Sequence, residues 1–444
     1  MKNTRIFKRL TITLMAALLL ALAGCKGGGE SSGSGEPDGS QQSERAEKPT
    51  LTVCYDLDLG SEGQSSKKLR DLILEYDPEF LDSYELKIDA VPGVGSNREP
   101  ALDNIRIELM SGGGADLFLC KSPKITGAER QTGLFQYPKA LMKRHVFLSL
   151  DDYIENAKYM EWDKLYPEIM EAGRNGEGQL ILPIGWSMNF VPFDVEGYTP
   201  TAELPMTFDE MLKSDDPGII EITCLSCFPD SLGLLADYEN DVPSFTKEEL
   251  TAHLDGILKN RERRTSEMTE SIGRHRAVTF GRMNSGLFSQ YDPDSVLIPH
   301  YNRDGGVTAS ITSFGAVNIN AKEPEVAFEI LDLLMSKEVQ QNSELLSWDR
   351  GAPVHMDLLK KDEKVFAPVD LDNGTQVDSW GLTDYNYEQL QTLIKQINAV
   401  DFFTPVHYEL SDLYIAYMQA ETKEEREKLV AEAYKNIDMM LAES

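Results

Sequence analysis

The chain has 444 residues and carries 74 Asp and Glu against 43 Lys and Arg, for a net charge of −31. A surface this acidic repels nucleic acid and anionic lipid headgroups, so nucleic acid is excluded as a partner. The length exceeds one ordinary core and suits two lobes, and 41% hydrophobic residues suffice to pack them.

The chain starts with a basic head, Lys2, Arg5, Lys8 and Arg9, followed by an apolar run from Leu10 to Ala23. That run is shorter than the roughly 20 residues a spanning helix needs, and a basic head with a short apolar middle describes a secretory signal peptide. Leu22-Ala23-Gly24-Cys25 resembles the bacterial lipobox, which implies cleavage before Cys25 and acylation of its thiol. Two or more acyl chains hold a protein stably at a membrane where one does not. Residues 1–24 are therefore expected to be a lipoprotein signal peptide. Losing their four basic residues takes the charge from −31 to −35. Residues 25–50 are expected to be the lipidated cysteine and a Gly/Ser/Glu-rich tether, reaching roughly 25–30 Å r.m.s.. Gly29-Glu30-Ser31-Ser32-Gly33 matches a serine-hydrolase pattern but lacks the flanking strand and helix that a nucleophile elbow requires.

From Leu51 to Cys120 the pattern alternates strand and helix. "LTVCY" is a strand. Leu69, Leu72, Ile73 and Tyr76 recur as one helical face, and "ELKIDAV" alternates as a strand. "PALDNIRIELM" starts on proline, carries Leu102, Ile105 and Leu109 on one face and stops at Gly112; "DLFLC" is a third strand. This β-α-β-α-β order predicts an α/β fold with a parallel sheet, whose ligands gather beyond the carboxyl ends of the strands. Tyr55 and Asp56, Val91-Pro92-Gly93, and Lys121-Ser122 occupy those loops. Gly93-Val94-Gly95 begins a G-x-G, but Arg98 stands where a dinucleotide loop needs glycine, and no phosphate-loop motif occurs.

Farther along, "GQLILPIGWSMNFVPFD" reads as a strand, an interruption at Pro-Ile-Gly-Trp and a second extended stretch. "GIIEITCLSCF" reads as a strand through the Cys224-x-x-Cys227 pair, which on its own is weak evidence for zinc or redox chemistry. "RAVTFGRMN" and "SVLIPHYN" are strands, and "SFGAVNIN" leads into a helix faced by Val326, Ala327, Ile330, Leu331 and Leu334. Thr246 with Glu249 caps one helix. Thr422 with Glu425 forms a capping box on the last, whose stripe is Leu429, Val430, Ala433, Ile437 and Leu441. Asp237 to Glu248 loosely mimics a calcium loop, with Val242 where glycine is needed. Six scattered histidines show no metal spacing, and acid pairs such as Asp151-Asp152 are expected in so acidic a chain. No catalytic constellation, metal or cofactor is expected, and the protein is read as a binder, not an enzyme.

A string of short motifs resembles the extracellular solute-binding proteins of family 1, the sugar binders of ABC importers. It includes "ELMSGGGADLFL", "DKLYPEIMEAGRNGEGQLILPIGWSMNFVPFD", "LPMTFDEML", "SFGAVNINAKEPEVAFEILDLLMSKEVQQN" and "RGAPVHMD". The resemblance covers nearly the whole chain after the tether. It implies a two-lobed periplasmic-binding-protein-like fold of type II, with 51–186 plus 303–346 as one lobe, 187–302 plus 347–444 as the other, and hinge crossings between them. It further implies a monomer, lipid-anchored at the outer face of the cytoplasmic membrane, that closes on a carbohydrate or oligosaccharide and delivers it to ABC permease subunits. Aromatic rings and polar side chains hold sugars. Expected contacts are therefore Tyr55, Asp56, Trp186 in the first crossing, Trp348 near the last, and Trp380. Arg282 and Asn284 stand where the family often places a ligand contact. Lys121, with Lys124, Glu129 and Arg130, occupies a loop where sugar binders often offer a ring, which leaves polyamines, peptides or modified sugars as alternative solutes. A surface hydrolase or adhesin is the alternative from another class.

Overall fold

The computed structural model describes residues 48–57, 64–93, 95, 97–122, 125–126, 129–130, 132–193, 198–225, 228–272, 278–280, 295–341, 351–358, 366–370, 376–379 and 383–444. The expected signal peptide, Cys25 and the expected tether as far as residue 47 lie outside them, while residues 48–50, expected in the tether, are described and Thr50 already opens the first strand.

Strand β1 (Thr50–Asp56), helix α1 (Gln64–Tyr76), strand β2 (Glu85–Ala90), helix α2 (Arg98–Met110) and strand β3 (Leu117–Lys121) follow the expected order. Both β2 and β3 pair parallel with β1, so the carboxyl ends of all three strands lie at one edge. Among the described residues the sheet has nine strands. The others are β4 (Leu182–Phe193), β5 (Val278–Phe280), β6 (Val296–Pro299), β7 (Val307–Val317), β8 (Ala352–Pro353) and β9 (Ile397–Phe402).

Two long strands bind the sheet together, and each changes partners partway. In β7, Ser313–Val317 run antiparallel to β3, while Val307–Ile311 run parallel to β9. In β4, Leu182–Gly185 pair with β7 and Gly185–Trp186 with β8, after which Met188–Phe193 pair with β5 and β6. The interruption expected inside β4 is absent. Its twelve residues form one strand, and Pro183 stands beside a register shift that breaks the ladder locally.

Helices cover the sheet. Helix α3 (Phe208–Lys213) opens on a capping box between Thr207 and Glu210, and α4 (Pro217–Cys224) packs on it. The strand expected over 218–228 is therefore a helix as far as Cys224. Asp216 caps it by accepting from the Gly218 and Ile219 amides, and Pro217 sits at its first turn. Ile219 to Thr223 are all buried, so no one-sided period marks the helix in the sequence. Cys224 ends the helix as a free thiol, and Cys227 lies outside the described residues. Helices α5 (Lys247–Arg263), α6 (Pro324–Met335), α7 (Asp384–Lys395), α8 (Pro405–Gln419) and α9 (Lys423–Glu443) complete the main set. The expected boxes Thr246/Glu249 and Thr422/Glu425 are both formed. Helix α6 lies so close to β7 that a Cβ on Gly315 would come within 2.2 Å of Leu331. Edge-on ring contacts of Phe118, Phe135 and Phe147, and of Phe314 with Phe402, join β3 and β7 to their neighbours. The Asp237 carboxylate accepts from the Glu239 and Asn240 amides, so it organises its own turn. Among the described residues, no group of three or more His, Cys, Asp or Glu is arranged to hold a metal. No helix among them is long and apolar enough to cross a membrane.

Candidate functional site

The parallel order of β1, β2 and β3 brings three loops to one edge, and a single side chain ties them. Arg98, the first residue of α2, donates Nη1 and Nη2 to the two oxygens of Asp56, each at 2.8 Å. It also donates to the Pro92 carbonyl at 2.9 Å and to the Thr132 carbonyl at 3.1 and 2.9 Å. The loops after β1, β2 and β3 thus share one guanidinium. Burial holds the Asp56 carboxyl above its ordinary value, and the Arg98 bonds and charge, the Lys121 charge and the Leu134 amide offset only part of that rise. Tyr55, Lys121 and Ser122 are buried beside this knot. The Ser122 amide donates to the Thr312 carbonyl, while its hydroxyl has no partner among the described residues.

Lys121 and Gly185 are both in register with Ser313, so the end of β3 and the first half of β4 flank β7 from its two sides at the same level. Alternation along β4 then decides which side chains face inward. Trp186 is wholly buried, with its ring edge-on to Tyr166 and its Nε1 donating to the Pro353 carbonyl at 3.0 Å. Gly351 packs against the same turn of chain. Its φ is 85°, and a Cβ there would meet the Trp186 carbonyl at 2.3 Å. Ser187 and Asn189 are the only residues of β4 that are not fully buried. Asn189 donates to the Asp230 carboxylate at 2.5 Å.

A separate cleft of about 380 Å³ opens between the segments around Lys139, Arg174, Tyr238, Arg303 and Asn398, within the size range of small-molecule sites. Two lysines one turn apart on the short helix Pro138–Lys143 cross its rim. Lys139 donates to the Val400 carbonyl at 3.0 Å and pairs with Asp401 at 3.3 Å. Lys143 reaches the Tyr238 and Glu239 carbonyls and the Asp241 carboxylate at 2.9–3.0 Å.

Of the residues singled out in the sequence, the structure gathers Tyr55, Asp56 and Lys121 at the strand ends, with Trp186 one residue past the Gly185 register position. Arg282, Asn284, Trp348 and Trp380 lie outside the described residues. Trp162 sits in a single 3-10 turn, half-buried against the core, and Asp116 is structural, accepting from the Thr52 and Lys322 amides. Sequence reasoning did not single out Arg98, Ser187, Asn189 or Asp230 as site residues. Arg98 carried a signal, a basic residue where a phosphate loop would need glycine. The other three carried none.

No family model matches the chain, and no curated protein matches it. Solved structures match over most of its length. An extracellular solute-binding protein of family 1 from Alicyclobacillus acidocaldarius aligns at 12% identity and a TM-score of 0.54, covering 89% of this chain and 99% of that one. A periplasmic oligogalacturonide-binding protein from Yersinia enterocolitica aligns at 13% and 0.55 with the same coverage. The sugar-binding protein MalE from Xanthomonas citri aligns at 11% and 0.54, covering 89% and 98%. Structures described as designed esterases are among the matches as well. The chain therefore has the two-lobed α/β fold of the extracellular solute-binding proteins.

Proposed function

We propose that this chain is the extracellular solute-binding subunit of an ABC importer, lipid-anchored through Cys25, which captures a carbohydrate or oligosaccharide and delivers it to membrane permease subunits. The observation that carries the reading is the exchange of partners along β4 and β7, at Trp186–Met188 and at Thr312. Strands that leave one set of neighbours and join another are what a hinged pair of lobes requires. The lobes we assign are 51–186 with 303–346 and 187–302 with 347–444. Structures of this fold that are described as binding sugars or oligogalacturonide support the solute class.

In this reading Tyr55, Lys121, Arg282, Asn284, Trp348 and Trp380 contact the solute. Asp56, through Arg98, and Trp186, through Pro353, hold the strand-end loops and the first crossing from beneath. The test is a thermal-shift screen of the purified full chain against mono- and oligosaccharides, polyamines and short peptides. A ligand at a hundred times its dissociation constant adds about 2.7 kcal/mol, enough to raise the melting temperature by a few degrees. A stabilising sugar is the expected result. Stabilisation by polyamines or peptides alone would refute the sugar, and silence from the whole panel would refute solute capture of these classes.

A further inference from the structure

Lys143 has surroundings that an ordinary surface lysine lacks. An ammonium carries three N–H donors. Those of Lys143 meet three acceptors, the Tyr238 carbonyl at 3.0 Å, the Glu239 carbonyl at 2.9 Å and the Asp241 carboxylate at 3.0 Å. All three lie in one hairpin loop, because Asp237 pairs with Val242 and Ala236 with Pro243. The loop is shaped without the lysine. The Asp237 carboxylate accepts from the Glu239 and Asn240 amides and from the Asn240 side chain. Asp241 takes a left-handed φ of 54°, which aspartate tolerates better than most residues. The stretch that loosely mimics a calcium loop in the sequence is thus a preformed socket, and the cation it holds is an ammonium.

The lysine and its socket come from different parts of the molecule. The short helix Pro138–Lys143 buries Pro138, Ala140 and Met142, and Phe135 just before it packs on Phe118, Phe147 and Phe314. These residues belong to the lobe assigned as 51–186 with 303–346, and the socket belongs to the other. Lys139, one turn back on the same helix face, also crosses, to the Val400 carbonyl at 3.0 Å and Asp401 at 3.3 Å. The two contacts differ in their place relative to the hinge. Val400 and Asp401 stand on β9 in register with Ala309 and Ser310 of β7, close to Ser313, where β7 meets the end of β3. The 236–243 hairpin forms a separate small sheet and pairs with neither long strand. The cleft of about 380 Å³ beside the lysines has Met142 and Arg174 on one side and Leu234 and Asn398 on the other, so the lobes are not close-packed there.

We propose that Lys139 and Lys143 form a two-point latch between the lobes, with Lys139 as a pin beside the hinge and Lys143 as a catch that must leave its socket when the lobe angle changes. The inference rests on the two-lobed solute-binding reading above. A rotation displaces atoms in proportion to their distance from the hinge, and a hydrogen bond weakens steeply once its geometry is lost. The catch therefore favours one lobe angle. A contact made in one of two arrangements shifts their ratio, and the apparent solute affinity shifts with it. No residue that touches the solute has to change.

The experiment is small-angle X-ray scattering and calorimetric titration of the purified full chain and its Lys143→Met, Asp241→Asn and Lys139→Met variants. Lys158→Met is the control, since it removes an equal charge from a pair with Glu329 inside the first lobe. The probes are neutral gluco-, manno- and galacto-oligosaccharides. Without sugar, Lys143→Met and Asp241→Asn should change the radius of gyration at an unchanged melting temperature, and Lys158→Met should not change the radius. Lys139→Met strands the buried Asp401 carboxylate, so it should lower the melting temperature and move the radius less than Lys143→Met does. Affinity for the sugar should change at least threefold in Lys143→Met, and linkage fixes the sign. Binding tightens where the variant's radius moves toward that of the sugar-bound wild type, and weakens where it moves away. A Lys143→Met variant with the wild-type radius overturns the latch, as does an affinity change of the wrong sign; sugar binding by the wild type then leaves solute capture standing. A Lys139→Met variant that moves the radius more than Lys143→Met overturns the division into pin and catch. A wild type that binds none of the sugars overturns the sugar reading, and the sugar-free radii then decide the latch alone.

Discussion

Replacing Arg98 with Met should be among the most damaging single changes outside the hydrophobic core. The stem of the side chain is retained, but the guanidinium that meets Asp56 through two bonds of 2.8 Å is gone. Asp56 is 0% exposed and Arg98 4%, so water cannot replace the lost partner. Removing one member of a buried ion pair costs about 3–5 kcal/mol, because the remaining charge stays desolvated. The Pro92 and Thr132 carbonyls lose their donor too, adding about 1 kcal/mol or more for each that stays dry. Urea unfolding followed by circular dichroism should therefore show a loss of at least about 3 kcal/mol at pH 7. The double variant Asp56→Leu/Arg98→Met removes the stranded charge and should recover part of that loss. In Arg98→Met alone, burial would raise the folded-state pKa of Asp56, so stability relative to wild type should improve as the pH falls and the carboxyl is protonated. A loss below about 1 kcal/mol, or a double variant less stable than the single, would refute the idea that this guanidinium holds the strand-end loops.

Three further outcomes can be checked. His300 and His407 are buried, and burial lowers both pKa values to about 4 from 6.5. The unfolded chain takes up these protons first, so stability is whole above pH 6.5 and falls by up to roughly 3 kcal/mol per histidine down to pH 4. Asp230, raised from 3.8 to about 6, acts in the opposite sense, adding up to roughly 3 kcal/mol as the pH falls across that window. The melting temperature should therefore drop between pH 6.5 and 4, and a flat profile would contradict the burial of the histidines. Trp186→Phe leaves the Pro353 carbonyl without its donor and should cost about 1–3 kcal/mol in the same urea assay; no loss would mean that the Nε1 bond contributes nothing. Cys25→Ser should abolish incorporation of labelled palmitate and release the protein from the membrane fraction, and labelling that persists would refute the anchor.

Much of the chain's local organisation is written in consecutive residues. The basic head, apolar run and cysteine of the first 25 positions need no folded partner to be read, nor does the composition of the tether. The β-α-β-α-β order through Cys120 was legible because each element repeats its own period over a few turns or pleats, and β1, β2 and β3 pair as that order requires. The capping boxes at Thr246 and Thr422 were legible for the same reason, as both partners lie within three residues. Helix α4 was not, since burial on every side erased its period.

The residues that build the candidate site depended on tertiary structure almost entirely. Arg98 meets Asp56 across 42 positions and Asn189 meets Asp230 across 41, and no local pattern encodes either meeting. Trp186 drew attention because it is large and aromatic. The face it occupies is set by the register of β4 against β7 and β8, which turns Trp186 into the core and leaves Ser187 and Asn189 half-open. A strand's period states that neighbours point to opposite sides. Which side is buried depends on what packs against it, and those partners come from residues more than a hundred positions away.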